Sequence, residues 1–287
     1  MWIVAAILSA IFAGLTAVLS KCGIKNANSN VATAVRTSVV LVFAWIIVFA
    51  TGEYQTISSI DAKSLTFILL SGVATGGSWI CYFKALSLGE VSKVAAVDKS
   101  SIILSVLFAI IVFPDERTLW WVKILCLIAI GVGTFLMTDV KRGDSKKATW
   151  LIFAILSAVF ASFTSILAKV GIANISSNVA TAIRTCVIFV MAWLIVFFKK
   201  ETHYIKELKT SEIAFLILSG IATGMSWLCY YYAIQNGQVS VVVPIDKLST
   251  IITILFSLIV FKEKPKLKGW IGLILLTVGT ICMAVFT

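Results

Sequence analysis

The chain of 287 residues is 60% apolar and only 13% charged, with a mean hydropathy of +1.05. Soluble domains run at about 45–50% apolar and about 25% charged, so water is not its main solvent, and three prolines and seventeen glycines exclude collagen-like and disordered classes. The net charge of +11 gathers in short stretches between apolar runs, which sets a membrane protein against anionic lipid and argues against a nucleic-acid partner.

Taken in chain order, ten apolar runs cover 2–22, 31–51, 64–88, 92–113, 119–138, 149–168, 179–198, 211–235, 240–261 and 267–286. Most hold about 20 residues, enough at about 1.5 Å per residue to cross a hydrocarbon core of about 30 Å. Lipid offers no partner for backbone N–H and C=O groups, so each run is predicted to be a helix. The first run reads as a spanning helix and not a signal peptide. It lacks a basic leading segment, and its near-copy recurs at 149–168 in mid-chain. Cys22, Cys81, Cys126, Cys186, Cys229 and Cys282 lie inside or at the ends of the runs with no CxxC spacing, which predicts buried free thiols and no disulfide framework.

A repeat at constant offset organises these runs. Ser29-Asn-Val-Ala-Thr-Ala-Val-Arg-Thr37 returns 148 positions later as Ser177-Asn-Val-Ala-Thr-Ala-Ile-Arg-Thr185. Ser71-Gly-Val-Ala-Thr-Gly-Gly-Ser-Trp-Ile-Cys-Tyr82 returns as Ser219-Gly-Ile-Ala-Thr-Gly-Met-Ser-Trp-Leu-Cys-Tyr230, and Val97-Asp98-Lys99 as Ile245-Asp246-Lys247. Polar residues match along with apolar ones, so the cause is duplication and not shared composition. The expected fold is an all-α integral membrane protein of ten transmembrane helices in two five-helix repeats, 1–138 and 149–287, joined by a cytoplasmic linker at 139–148. Five spans per copy make the second copy enter the bilayer from the opposite side, so the repeats are inverted.

Loop charge supports the inversion. Loop 52–63 holds Lys63 beside Glu53 and Asp61, whereas its copy 200–211 holds Lys200, Lys206 and Lys209, with Lys199 adjoining. The pair 114–118, Pro-Asp-Glu-Arg-Thr, and 262–266, Lys-Glu-Lys-Pro-Lys, has diverged in the same sense. Under the positive-inside rule the face carrying 199–210, 262–266 and the bases Lys141, Arg142, Lys146 and Lys147 is cytoplasmic, which puts both termini outside a plasma membrane.

The small-residue third spans (Ser71–Tyr82 and Ser219–Tyr230), the acidic turn Phe113-Pro-Asp-Glu-Arg117 and the Gly-rich fifth spans at Gly131-Val-Gly-Thr134 and Gly279-Thr280 together resemble the EamA-like branch of the drug/metabolite transporter superfamily. The resemblance covers essentially the whole chain and implies two five-helix units in inverted orientation. The Asp-Lys pairs also resemble half-size, single-repeat relatives, of which this chain would be a fused duplicate. Two departures stand out. Asp98-Lys99 and Asp246-Lys247 occupy the fourth span where such repeats often carry proline, and the acidic turn, intact at Glu116, becomes Lys264 in the second copy with Glu263 one position early.

The candidate site residues are the ionisable and aromatic groups inside the runs. Asp98 and Asp246 sit about one and a half turns into their spans, where an ionisable group costs roughly 2.5–3.5 kcal/mol and faces protein or a wet cavity. Neighbours on a helix lie about 100° apart, so each acid is expected to pair across the repeat, Asp98 with Lys247 and Asp246 with Lys99, with Arg36 and Arg184 competing. Such pairs act either as a structural lock or as a gate. Arg36 and Arg184 read either as interfacial anchors or as forks that receive a carboxylate or phosphate; Lys21 and Lys169 read as anchors. Lys84 breaks the symmetry, its copy being Tyr232. Gly72-xxx-Gly76 and Gly220-xxx-Gly224 are read as close-packing motifs. Trp79, Tyr82, Trp227, Tyr230, Tyr231 and Tyr232 serve as cavity walls or as core. Pro244 interrupts the ninth run, and His203 falls in a basic loop.

There is no HExxH, nucleophile elbow, P-loop or metal-ligand cluster, so no enzyme activity, cofactor or metal is expected. The expected function is secondary transport of a small organic metabolite by alternating access, with the bilayer as surroundings, protons as a candidate coupling ion and a monomer as the unit. Five interior bases against two acids among the candidates favour an anionic or zwitterionic solute such as an amino acid or organic acid. The alternatives are a proton-coupled cation or multidrug exporter using Asp98 or Asp246, and a non-transporting membrane scaffold.

Overall fold

The computed structural model describes residues 1–23, 27–88, 94, 97, 98, 100–137, 149–260 and 267–286. The description is entirely helical. In chain order the helices are α1 (Trp2–Gly23), α2 (Ser29–Ala50), α3 (Ala62–Leu88), α4 (Ser101–Val112), α5 (Trp120–Met137), α6 (Thr149–Gly171), α7 (Ser177–Phe198), α8 (Thr210–Asn236), α9 (Val239–Lys247), α10 (Ser249–Val260) and α11 (Leu267–Phe286). Short 3₁₀ turns stand at Glu53–Ser59, Pro114–Arg117 and Thr202–Ile205.

Seven of these helices (α1, α2, α3, α6, α7, α8 and α11) are long and apolar enough to cross a bilayer, and α5 is a shorter apolar helix. The fourth span of each copy departs from the expected single rod. In the second copy it is two helices, α9 and α10, meeting at Leu248. Pro244 lies inside α9, but the break falls a turn later. The N–H of Leu248 bonds Ile245 O at 2.9 Å and that of Ile251 bonds Leu248 O at 2.8 Å, so the ladder tightens from four-residue to three-residue spacing while the chain stays right-handed. In the first copy Ser100, 148 positions earlier, does the same: its N–H bonds Val97 O at 3.0 Å before α4 begins. Both discontinuities directly follow the Asp-Lys positions.

The helices form two compact units. One comprises Met1–Gly76 with Leu167–Asn236, the other Gly77–Ile166 with Gly237–Thr287, so each draws on both sequence repeats. In the first unit α2 shows how burial is distributed. Val31, Ala34, Thr37, Val40, Ala44 and Val48 are buried at three- and four-residue spacing, yet Val42, Ile46 and Phe49 on the other side are just as apolar and more than half exposed. A helix bathed in lipid gains little from hiding apolar surface, so specificity must come from close packing and polar contacts.

Those contacts repeat themselves in reverse. Asn30 Nδ2 donates to Glu201 Oε2 at 2.7 Å, and its copy Asn178 donates to Glu53 Oε1, the copy of Glu201, at 3.1 Å. The start of α2 therefore meets the end of α7, and the start of α7 meets the end of α2. The two corresponding helices run antiparallel, as inverted repeats require. Trp45 Nε1 on Cys186 Sγ at 3.4 Å and Trp193 Nε1 on Ser38 Oγ at 3.1 Å are a second such pair. Even the N-caps correspond, Asn28 closing α2 and Ser176 closing α7 with different side chains.

The Gly-xxx-Gly motifs pack as expected. A Cβ on Gly72 would come within 2.8 Å of Val187 Cβ, and one on Gly220 within 2.6 Å of Val39 Cβ, each also 3.1 Å from an arginine carbonyl, Arg184 or Arg36. The α1–α8 pair adds Ser9 Oγ at 3.3 Å from Ser226 Oγ. In the second unit α5 and α11 pack in antiparallel fashion through Gly133 and Gly279.

Candidate functional site

In the first unit the two repeat-related arginines lie about two turns inside their helices, carried there by the N-capped starts of α2 and α7. Arg184 is 4% exposed. Its Nε donates to Ser71 Oγ at 3.1 Å and its Nη2 to Thr75 Oγ1 at 2.7 Å, both on α3. The guanidinium lies over the rings of Trp227 (5.1 Å) and Tyr231 (4.5 Å) on α8, within cation–π range. Tyr230 meets Tyr231 edge to face at 5.1 Å. Arg36 Nη1 donates to Ser20 Oγ at 2.9 Å, and Ser20 Oγ lies 2.7 Å from Ser219 Oγ. Among the described residues neither guanidinium has a carboxylate partner. The Arg184 guanidinium is thus held on its faces by aromatic rings and on two edges by neutral hydroxyls inside the helix bundle.

In the second unit Asp98 Oδ1 accepts from Ser157 Oγ at 2.7 Å, and Ser157 Oγ lies 3.2 Å from Ser78 Oγ. Tyr82 packs nearby against Ala85, Val94, Trp150 and Ala154. Lys247 Nζ stands 4.0 Å from Asp246 Oδ2 of its own helix. Among the described ion pairs Lys247 thus meets Asp246 and not the expected Asp98. The reciprocal pair needs Lys99, which lies outside the described residues, as do Lys141, Arg142, Lys146, Lys147, Glu263 and Lys264.

The strongest polar cluster of this unit is elsewhere. Lys123 on α5 is wholly buried and Glu116 is 2% exposed. Lys123 Nζ lies 3.2 Å from Glu116 Oε2 and within 2.7–3.0 Å of Ser240 Oγ, Glu116 O and Gln238 Oε1. The Glu116 carboxylate in turn accepts from the Val239 N–H and the Ser240 hydroxyl, so it caps the start of α9.

The EamA-like transporter family model matches residues 1–138 and 148–285. The chain belongs to the EamA-like transporter family. Members of this family are membrane transporters of the drug/metabolite superfamily, and this chain is accordingly a multi-pass membrane transporter. An uncharacterized transporter in the cobO 3'region of Sinorhizobium sp is 40% identical over 138 residues, 48% of this chain and 98% of that one. An uncharacterized protein of Methanocaldococcus jannaschii is 26% identical over 137 residues, 48% of this chain and 97% of its own length. Each of these relatives thus answers to half of the EamA-like chain. A solved crystal structure at 17% identity shares the fold, with a TM-score of 0.78 over 99% of both chains.

Within this EamA-like transporter the candidates divide between the units. Arg36, Arg184, Trp227, Tyr230, Tyr231 and Tyr232 belong to the first, and Trp79, Tyr82, Lys84, Asp98, Asp246 and Lys247 to the second. Arg184 gathers Trp227 and Tyr231 around it, whereas Tyr232 is 41% exposed and Lys84 is exposed. Trp79 is half-buried. Lys169, read as an interfacial anchor, instead donates to Ile234 O at 2.5 Å, where the last carbonyls of α8 need donors. Two features escaped sequence reading. Lys123 carries a signal, as the one base in the run 119–138 and with Ile271 as its copy. The Ser71 and Thr75 hydroxyls carry none by themselves, since serine and threonine are common in packed membrane helices.

Proposed function

We propose that this transporter carries a small anionic or zwitterionic solute, of the amino acid or organic acid class, by alternating access between its two inverted five-helix repeats. The observation that supports this reading is Arg184, a buried guanidinium braced by Ser71, Thr75, Trp227 and Tyr231 and facing no carboxylate among the described residues. A charge inside a membrane bundle is costly and marks a solute or ion path. Binding a carboxylate would supply the missing counter-charge in the geometry that suits a guanidinium best. A solute or proton gradient drives the cycle, and Asp98, beside the helix discontinuity at Ser100, is the acid placed to take up the coupling proton.

Purified protein in lipid vesicles preloaded with alanine or succinate should accumulate the labelled solute by counterflow, and Arg184→Gln should abolish that accumulation. Exchange of a lipophilic cation such as tetraphenylphosphonium, with no exchange of any carboxylate, would overturn the reading in favour of a cation exporter.

The basic loop 199–210 is proposed to face the cytoplasm of a cell whose plasma membrane holds the protein, with both termini outside. Lys206 is exposed, so a cysteine placed there should resist an impermeant thiol reagent in intact cells and react once the membrane is opened. Labelling in intact cells would reverse the orientation.

A further inference from the structure

The repeat makes Arg36 and Arg184 counterparts, yet their hydrogen-bond partners differ. Arg36 Nη1 is satisfied by Ser20 Oγ at 2.9 Å. The residue 148 positions after Ser20 is Ala168, which offers a methyl group instead. Arg184 has hydroxyl partners for Nε and Nη2, but its Nη1 is buried without a hydrogen-bond partner. Among the described residues one other buried side-chain atom, Thr134 Oγ1, shares that condition. A cavity of about 10 Å³ lies directly against the Arg184 side chain, with Ala168, Ile172, Thr181 and Tyr231 in its wall. That is the space of a single oxygen-sized group.

An unpaired buried N–H on a charged group carries its full desolvation penalty and so is retained where something else satisfies it. Cation–π contacts fix the plane of this guanidinium, and two hydroxyls fix two of its edges. The third edge is left without a partner on a side chain that lines the cavity. Preorganisation of this kind lowers the cost of binding.

We propose that Arg184 is the arm that recognises the solute carboxylate, with Nη1 donating to a carboxylate oxygen seated beside Ala168, and that Arg36 is its structural counterpart, held closed by Ser20. The inference rests on the reading of the solute as anionic or zwitterionic and adds which edge of Arg184 binds it and why Arg36 does not. The cavity admits one oxygen and not a whole solute, so the rest of the solute reaches Arg184 when the helices lining the cavity part, as alternating access requires of a closed site.

Ala168→Ser tests this directly, because it builds the Ser20 hydroxyl into the second copy. Thermal melts and titrations would use alanine and succinate as carboxylate probes and ethylamine, which is alanine without its carboxylate, as the control. Ala168→Ser should raise the melting temperature without ligand while weakening alanine or succinate binding by roughly tenfold. Ser20→Ala should lower the melting temperature and leave that affinity unchanged. Should Ala168→Ser fold poorly, Arg184→Lys, which keeps the charge and loses the fork, should weaken carboxylate binding by a similar factor. Binding by the wild type that neither variant weakens would make Arg184 a structural residue and its cavity a water site, overturning this inference alone. No stabilisation of the wild type by any carboxylate, or equal stabilisation by ethylamine, would overturn the reading of the solute itself.

Discussion

Replacing Lys123 with methionine should lower the stability of the folded protein by about 3–5 kcal/mol. Lys123 is wholly buried, and its ammonium is the charge that faces the buried Glu116 carboxylate at 3.2 Å. Methionine fills much of the same volume, so packing loss is a small part of the effect. What remains is an ionised carboxylate in a poorly solvated site with neutral donors only, the Val239 and Ser240 groups at the start of α9. The positive end of that helix offsets part of the charge, by about 1 kcal/mol. Glu116→Gln should be damaging in the opposite sense, since it leaves the ammonium on neutral acceptors. The double variant should recover much of either loss, because both charges are gone and the Glu116→Gln amide oxygen can still accept from the Val239 and Ser240 groups. Denaturant melts in detergent would measure the cycle. A loss below about 1 kcal/mol for Lys123→Met would put the pair in the class of exposed ion pairs and sink the argument.

That cluster also shows where sequence reading stops. The offset of 148 is enough to find the correspondence of the helices and their inversion, because matched polar residues such as Asn30 and Asn178 mark equivalent positions without any geometry. The Gly-xxx-Gly spacings likewise announced close packing that the structure bears out at Gly72 and Gly220. Lys123 was visible as a lone base in an apolar run, but its partners come from a 3₁₀ turn before α5 and from α9, more than a hundred positions later. No local pattern joins three such segments. The difference between Arg36 and Arg184 was hidden for a related reason. Ser20 and Ala168 are one oxygen apart, and that oxygen acquires meaning only once it is known to face a guanidinium. The expected exchange of Asp and Lys partners treated the fourth spans as straight rods. The tightening at Leu248 departs from that, and Lys247 stands beside Asp246, while the exchange of Asp246 with Lys99 lies outside the described residues.

The largest effect expected from a backbone contact is at Gly133, where alanine should cost about 3 kcal/mol or more. A Cβ at this position would sit 2.6 Å from Gly272 O and 2.7 Å from Leu276 N, with Leu275 Cβ at 3.1 Å. The two nearest atoms are backbone of α11, which cannot swing aside as a side-chain tip can, so α5 and α11 must move apart along their whole contact. Separation would cost the neighbouring close approach too, where Gly279 leaves room for Ile130 Cγ1 at 2.9 Å and Cys126 O at 3.1 Å. Gly131, one half-turn earlier on α5, provides the control. Its Cβ would meet only the Ile103 side chain, Cδ1 at 3.1 Å and Cγ1 at 3.9 Å, and alanine there also gains helix propensity of about 1 kcal/mol over glycine. Gly131→Ala should therefore melt near the wild type while Gly133→Ala melts far below it. Equal losses at both positions would point to a general requirement for glycine flexibility in α5, and an unchanged melt for Gly133→Ala would show that the α5–α11 contact is looser than its backbone distances imply.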